Sequence, residues 1–193
     1  MKQEIIQKLD SIPDGVPFDS ETLGIEQEQA YPILQELAAA GEIRRMTDDV
    51  YYKPITSSGL GELPPDWEQS IVFFEKKLNA HISGPFGYNM IGLTEQCATT
   101  LTLAGPNPFE DFEINGCRTI YMPSRIGCAE AEYCIAAIIF DALENIHEIP
   151  GHLAKEVLCS IKDLIKRRPA LRPILTELSQ RYPDEIKNVL AQM

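Results

Sequence analysis

The stretch that decides the fold runs from Ser83 to Pro123, SGPFGYNMIGLTEQCATTLTLAGPNPFEDFEINGCRTIYMP. It holds the clearest β pattern in the chain, and the segments on either side read as helices. Thr99-Thr100-Leu101-Thr102-Leu103 is β-branched and apolar, and Gly105-Pro106 stops it. Between Phe109 and Ile114, Phe109, Phe112 and Ile114 are set against Glu110, Asp111 and Glu113. Asn115-Gly116 then leads into Arg118-Thr119-Ile120-Tyr121-Met122. Asn-Gly between two such runs signals a hairpin, because a type I′ turn needs positive φ at both central residues. The pattern predicts a small, largely antiparallel sheet at the centre of a second domain. Ahead of it, Phe86 to Leu93 reads as a short helix entered through Ser83-Gly84-Pro85.

Working outward, Asp66 caps a predicted helix from Trp67 to Ala80, with Trp67, Ile71, Phe74 and Leu78 on one side. After the sheet, Ala129 to Leu143 is strongly apolar and reads as a buried helix. His152 to Arg168 follows, with Leu153, Val157, Ile161, Leu164 and Ile165 inward, and Pro169 stops it. Leu171 to Tyr182 and Pro183 to Met193 are the last predicted helices. Toward the N-terminus, Ile5, Ile6 and Leu9 mark a first helix, and Phe18 to Gly24 a second, capped by Asp19 or Ser20. Glu26 to Ala40 is the third, with Ala30, Ile33, Leu34, Leu37 and Ala38 as its apolar stripe. Pro32 moves the start of its regular part to about Tyr31. Two short strands, 42–46 and 50–53, are joined by Thr47-Asp48-Asp49. Three helices and then a hairpin is the layout of a winged helix-turn-helix, whose third helix enters the major groove while the wing touches phosphates. The Ser-, Gly- and Pro-rich segment 56–66 reads as a linker. The fold class is therefore α+β: a winged helix-turn-helix domain over 1–55, a linker, and residues 67–193 as a small antiparallel sheet packed with helices and ending in helices.

The 193 residues are 44% hydrophobic and 24% charged, the balance of an ordinary globular chain. No run approaches the ~18 apolar residues of a membrane span, and the first residues lack a signal region. Five widely spaced cysteines show no zinc or redox spacing; the expectation is reduced, mostly buried thiols in a cytoplasmic protein. The net charge of -12 hides a gradient. Residues 1–55 hold 5 Lys/Arg against 11 Asp/Glu, residues 56–149 hold 4 against 13, and residues 150–193 hold 8 against 5. Acidic bulk repels phosphate, so any nucleic-acid contact must be local.

Candidate binding residues follow from that. Gln27, Tyr31 and Gln35 lie on the outer face of the third helix, where Gln could read adenine, although Glu28 and Glu36 share that face. Arg44, Arg45 and Lys53 are the cations of the wing. Lys162, Lys166, Arg167, Arg168 and Arg172 make a basic cluster near the C-terminus. DNA reading and protein contact both remain open for the first unit. No catalytic constellation emerges: His81, His147 and His152 lack ligand-type partners, Gly84-Pro85-Phe86-Gly87 lacks the lysine of a phosphate loop, and Glu130 and Glu132 sit where a helix start favours acids. The expectation is a non-enzyme without cofactor or metal. An enzyme would have to assemble its site from Tyr88, Glu95 and the histidines.

GEIRRMTDDVYYKP at the end of the winged helix, then GLGELPP, SGPFGYNMIGLTEQC, TLTLAG and FEINGCRTIYMP together resemble the AbiE-type abortive-infection antitoxins and their short winged-helix relatives. The resemblance spans nearly the whole chain, through short motifs in a shared order. It implies a type IV toxin-antitoxin role: the winged helix binds the promoter DNA of its own operon, and the rest opposes a nucleotidyltransferase toxin without a stable complex. A homodimer is compatible with it. The chain departs from the family at Glu36, Ala39 and Ala40 on the third helix and at Asp48-Asp49 in the wing, where basic or glycine residues are usual.

Overall fold

Ile5 and Leu9, one turn apart on α1 (Lys2–Asp10), are buried against Leu34 and Leu37 of α2 (Gln27–Ala40) in a single apolar cluster. The computed structural model that shows this describes residues 1–107, 109–114, 116–127, 130–149 and 151–193. The protein is α+β, and its contacts divide it into two compact units: 1–73 with 112–116, and 74–111 with 117–193.

In the first unit, β1 (Pro17–Phe18) and β2 (Arg44–Arg45) flank β3 (Tyr51–Tyr52) in an antiparallel sheet. Phe18 pairs with Tyr51 in register, and their rings stack with centroids 6.4 Å apart over the cluster. The segment expected as a second helix is one helical turn, 19–24. Phe18 is drawn into β1, while Asp19 caps the turn through Thr22 N–H at 2.9 Å and Thr22 Oγ1 at 2.8 Å. In α2, Pro32 lies inside the helix, which is already regular from Gln27. Proline at the sixth position forfeits only the one bond to the Glu28 carbonyl, so the early start survives. Gly41 ends the helix at φ +80°, a conformation that suits glycine.

The segment read as a linker, 56–66, is structured. β4 (Ile55–Ser57) and β5 (Gly61–Leu63) form an antiparallel hairpin, and the Asp66 N–H donates to the Gly15 carbonyl at 3.0 Å. Glycines at φ +102° (Gly59) and +76° (Gly61) supply the turn, so what resembled linker composition is turn chemistry. α3 (Trp67–Leu78) follows, capped by Asp66 through the Gln69 N–H at 2.8 Å.

The second sheet, expected to be largely antiparallel, is mixed in strand direction. Its order is β6 (His81–Ser83), β7 (Leu101–Gly105), β9 (Cys117–Pro123), β8 (Phe112–Ile114), and β7 runs parallel to β9 in the register Leu101↔Thr119 to Gly105↔Pro123. Local alternation sets which residues pair but not the direction of the partner. Here β9 starts at the same end as β7. β6 is antiparallel to β7 and was missed because three residues in NAHISGP carry no strand pattern. The Asn-Gly turn falls on Asn115, outside the described residues; Gly116 has φ +75°.

α4 (Gly84–Met90) and α5 (Ala131–Glu144) pack on β6. Residues Ala136 to Phe140, Ala142 and Leu143 of α5 are all buried, as an all-round apolar helix requires. Its core extends through α6 (Ala154–Arg167) and α7 (Leu171–Ser179), with α8 (Asp184–Ala191) against α7. The Phe140 and Tyr182 rings stack at 4.1 Å and 10°. The cysteines depart from expectation: Cys97 and Cys159 are exposed, Cys117 is half-buried, and Cys134 is disulfide-bonded; Cys128 lies outside the described residues.

Asp141 interrupts the apolar stretch 135–143 of α5. Asp141 Oδ2 accepts hydrogen bonds from Ser83 Oγ at 2.6 Å, Tyr88 Oη at 2.8 Å and the Gly84 N–H at 3.2 Å. Asp141→Ala strands two buried hydroxyls and an N–H, and is expected to cost about 3 kcal/mol, against about 1 kcal/mol for Tyr88→Phe. Urea unfolding followed by circular dichroism measures both.

Candidate functional site

On α2 the spacing i, i+4, i+8 puts Gln27, Tyr31 and Gln35 on one side, with the two glutamines exposed and Tyr31 half-buried. Glu28 and Glu36 are exposed too. Glu36 pairs with Lys2 at 2.8 Å, and that bond holds the Lys2 ammonium above the usual lysine range.

Each of the cations Arg44, Arg45 and Lys53, expected to form a wing, is engaged. Arg44 grips Glu62 with both arms of its guanidinium, Nε to Oε2 at 2.9 Å and Nη2 to Oε1 at 2.5 Å, and Nη1 donates to the Gly41 carbonyl at 2.8 Å. Arg45 pairs with Asp48, and its Nε donates to the Thr47 carbonyl at 2.9 Å. Lys53 Nζ lies 3.2 Å from Asp14. These residues therefore present neutral pairs where phosphate contact needs unsatisfied cations. Each exposed pair is worth about 0–1 kcal/mol, but a phosphate must displace a carboxylate to gain any of it. Sequence reasoning could see Asp48 beside Arg45. It could not see Glu62, which reaches Arg44 only because the expected linker folds as a hairpin.

The C-terminal cations are exposed. Lys162 and Lys166 stand one turn apart on α6, Arg167 and Arg168 end that helix, and Arg172 opens α7. Lys166 pairs with Asp163 at 3.3 Å, Arg167 Nε donates to the Asp163 carbonyl at 3.3 Å, and Arg168 lies 3.8 Å from Glu132. Among the described residues neither Lys162 nor Arg172 has an acid within ion-pair reach. The cluster does not converge on one cleft. Arg167 and Arg168 border a groove of about 440 Å³ with Met90, Ile135 and Leu164, whereas Arg172 borders a separate one of about 170 Å³ with Ile165, Leu175 and Lys187.

No family model matches this chain. No curated protein is significantly similar to it. The site must therefore be read from its own chemistry.

The polar group that sequence reasoning missed is the one around Asp141. Its signal was present: one carboxylate, Asp141, within the apolar run IAAIIFDAL of residues 135–143. Asn145 Nδ2 donates to Asp141 Oδ1 at 3.0 Å, completing the ligation of both oxygens. Burial pushes the Tyr88 hydroxyl far above the usual tyrosine range, and the Asp141 charge adds to this. Ser83 is 1% exposed and spends its hydroxyl on Asp141, so it does not meet a substrate from solvent. Glu95 is exposed, away from this buried group. The arrangement is that of a tie within the fold.

His81, two residues before Ser83 on β6, is 1% exposed, and its ring nitrogens find only a weak contact with the Ile126 backbone among the described residues. Burial lowers its pKa from 6.5 to about 4, against the pull of Asp141. The unfolded chain thus binds this proton more tightly than the folded one. The stabilising contribution of neutral His81 is complete above pH 6.5 and is lost as the pH falls from 6.5 toward 4. About 3 kcal/mol of stability is expected to disappear over that window. His81→Phe is expected to flatten the dependence, as measured by urea midpoints from pH 7.5 to 4.

Proposed function

We propose that this chain is a protein-interaction module whose N-terminal unit has the winged-helix layout without its DNA-reading electrostatics. The layout is supported by the order of elements: a helix, a short strand, a capped helical turn, a second helix, and two strands, with the first strand paired to the last. The single observation that carries the functional reading is the pairing of Arg44, Arg45 and Lys53 with Glu62, Asp48 and Asp14. A DNA reader keeps such cations available for counterion release. This wing has matched each one with an acid, and the adjoining helix face carries Glu28 and Glu36.

The second reading is the antitoxin implied by the AbiE-type resemblance, binding its promoter and opposing a nucleotidyltransferase toxin. One observation favours it: Lys162 and Arg172 are exposed cations without acid partners among the described residues. In that reading Gln27, Tyr31 and Gln35 face the groove while the C-terminal cations extend the footprint.

Electrophoretic mobility shift on the DNA upstream of the gene, in about 25 mM and about 200 mM salt, separates the two. The expected outcome is no specific retardation at either salt. Glu62→Gln with Asp48→Asn releases both wing arginines and is expected to produce weak, salt-sensitive, sequence-independent binding. Specific retardation by the unaltered protein that falls steeply with salt would establish the second reading.

A further inference from the structure

We infer that the groove bordered by Met90, Ile91, Ile135, Leu164, Arg167 and Arg168 docks an acidic segment of a partner protein anchored by apolar side chains. The inference rests on the reading of the chain as a protein-interaction module.

The groove follows from where two helices stop. α4 ends at Met90 because Gly92, at φ +75°, turns the chain, and Leu93 then enters the core at 2% exposure. Met90 is left 57% exposed. Ile91 and Ile135 are half-buried, and Leu164 supplies the buried floor. An exposed thioether beside branched aliphatic groups is an adaptable apolar surface, the kind that accepts more than one side-chain shape. About 440 Å³ takes a few side chains rather than a whole domain.

The rim sets the sign of the partner. α6 ends at Arg167, and Arg168 follows as its cap, so two guanidinium groups stand together at one end of the groove. Arg167 gives only its Nε to its own helix, at the Asp163 carbonyl, and no carboxylate lies within ion-pair reach of it among the described residues. Arg168 has Glu132 at 3.8 Å, too long for a hydrogen bond. Both arginines keep N–H donors in the fork that fits a carboxylate. They belong to the one segment of the chain with more cations than anions. An apolar floor with a two-arginine rim matches carboxylates spaced next to leucine-like side chains. A nucleic acid would leave that floor unused and would bring its remaining phosphates toward Glu132.

The test is fluorescence anisotropy on the full chain. The probe is a fluorescein-labelled peptide of about 12 residues with Glu and Leu at helical spacing, compared with the same peptide carrying Lys for Glu. The Glu peptide is expected to bind with Kd of about 10–100 µM and the Lys peptide at least about tenfold more weakly. Arg167→Glu with Arg168→Glu is expected to reverse that order. Arg167→Gln with Arg168→Gln keeps the bulk of both side chains and is expected to weaken the Glu peptide about fivefold. Met90→Ser is expected to weaken it severalfold with the urea midpoint unchanged. No binding of the Glu peptide below about 1 mM overturns the inference, as does binding that ignores the arginine substitutions. So does a double-stranded oligonucleotide that displaces the peptide and is lost with the same arginines. Peptide failure without DNA retardation removes the groove alone; specific, salt-sensitive DNA retardation removes the interaction reading beneath it.

Discussion

One carboxylate oxygen, Asp141 Oδ2, holds the second unit together at its middle. A charge in an apolar helix is expensive to bury, and it persists only where donors surround it. Ser83, Gly84 and Tyr88 provide three, all from the strand-to-helix passage β6–α4. The bond to Gly84 sits at the first residue of α4, where an unpaired N–H and the helix dipole both favour a negative charge. Gly84 adopts φ +60°, and a Cβ there would stand 3.2 Å from Thr102 Oγ1, so the approach of β7 also depends on that glycine. With the start of α4 fixed by Asp141 and its end fixed by Gly92, the place of Met90 on the surface is determined. The groove beside Arg167 is thus a downstream result of one half-buried carboxylate.

The first unit is governed by a different balance. It is acidic overall, and its few cations sit beside acids that reach them from three directions: the segment 47–49, the preceding turn and the following hairpin. Mutual neutralisation at a surface contributes little to stability. Its larger effect is on what can approach. A polyanion finds Arg44, Arg45 and Lys53 already matched by acids.

Much of the helical architecture was legible from pattern alone. The apolar positions of α1, α2 and α6 recur at helical spacing, α5 is apolar all round, and the caps Asp19 and Asp66 act where their side chains suggested. Gly41 and Pro169 mark helix ends for the reasons glycine and proline usually do. Strand direction was not legible, because alternation in Leu101–Gly105 and Cys117–Pro123 is the same for parallel and antiparallel partners. Strands of two or three residues were not legible either: His81-Ile82-Ser83 has no room for a period. The basic residues were easily found, but their state was not. Whether Arg44 is available depends on Glu62, eighteen positions away, and only a folded hairpin brings the two together.

That hairpin turns at Ser58-Gly59-Leu60-Gly61. Leu60 is 76% exposed, and a side chain built on either neighbouring glycine meets nothing within 4 Å. Such a tip is where a polypeptide tolerates foreign sequence, because only the long turn bond from the Leu60 N–H to the Ser57 carbonyl, 3.3 Å, is disturbed. A fluorophore tag or protease recognition sequence grafted between Gly59 and Leu60 therefore reports on the N-terminal unit while leaving the Arg44–Glu62 clasp, held from the paired strand β5, in place.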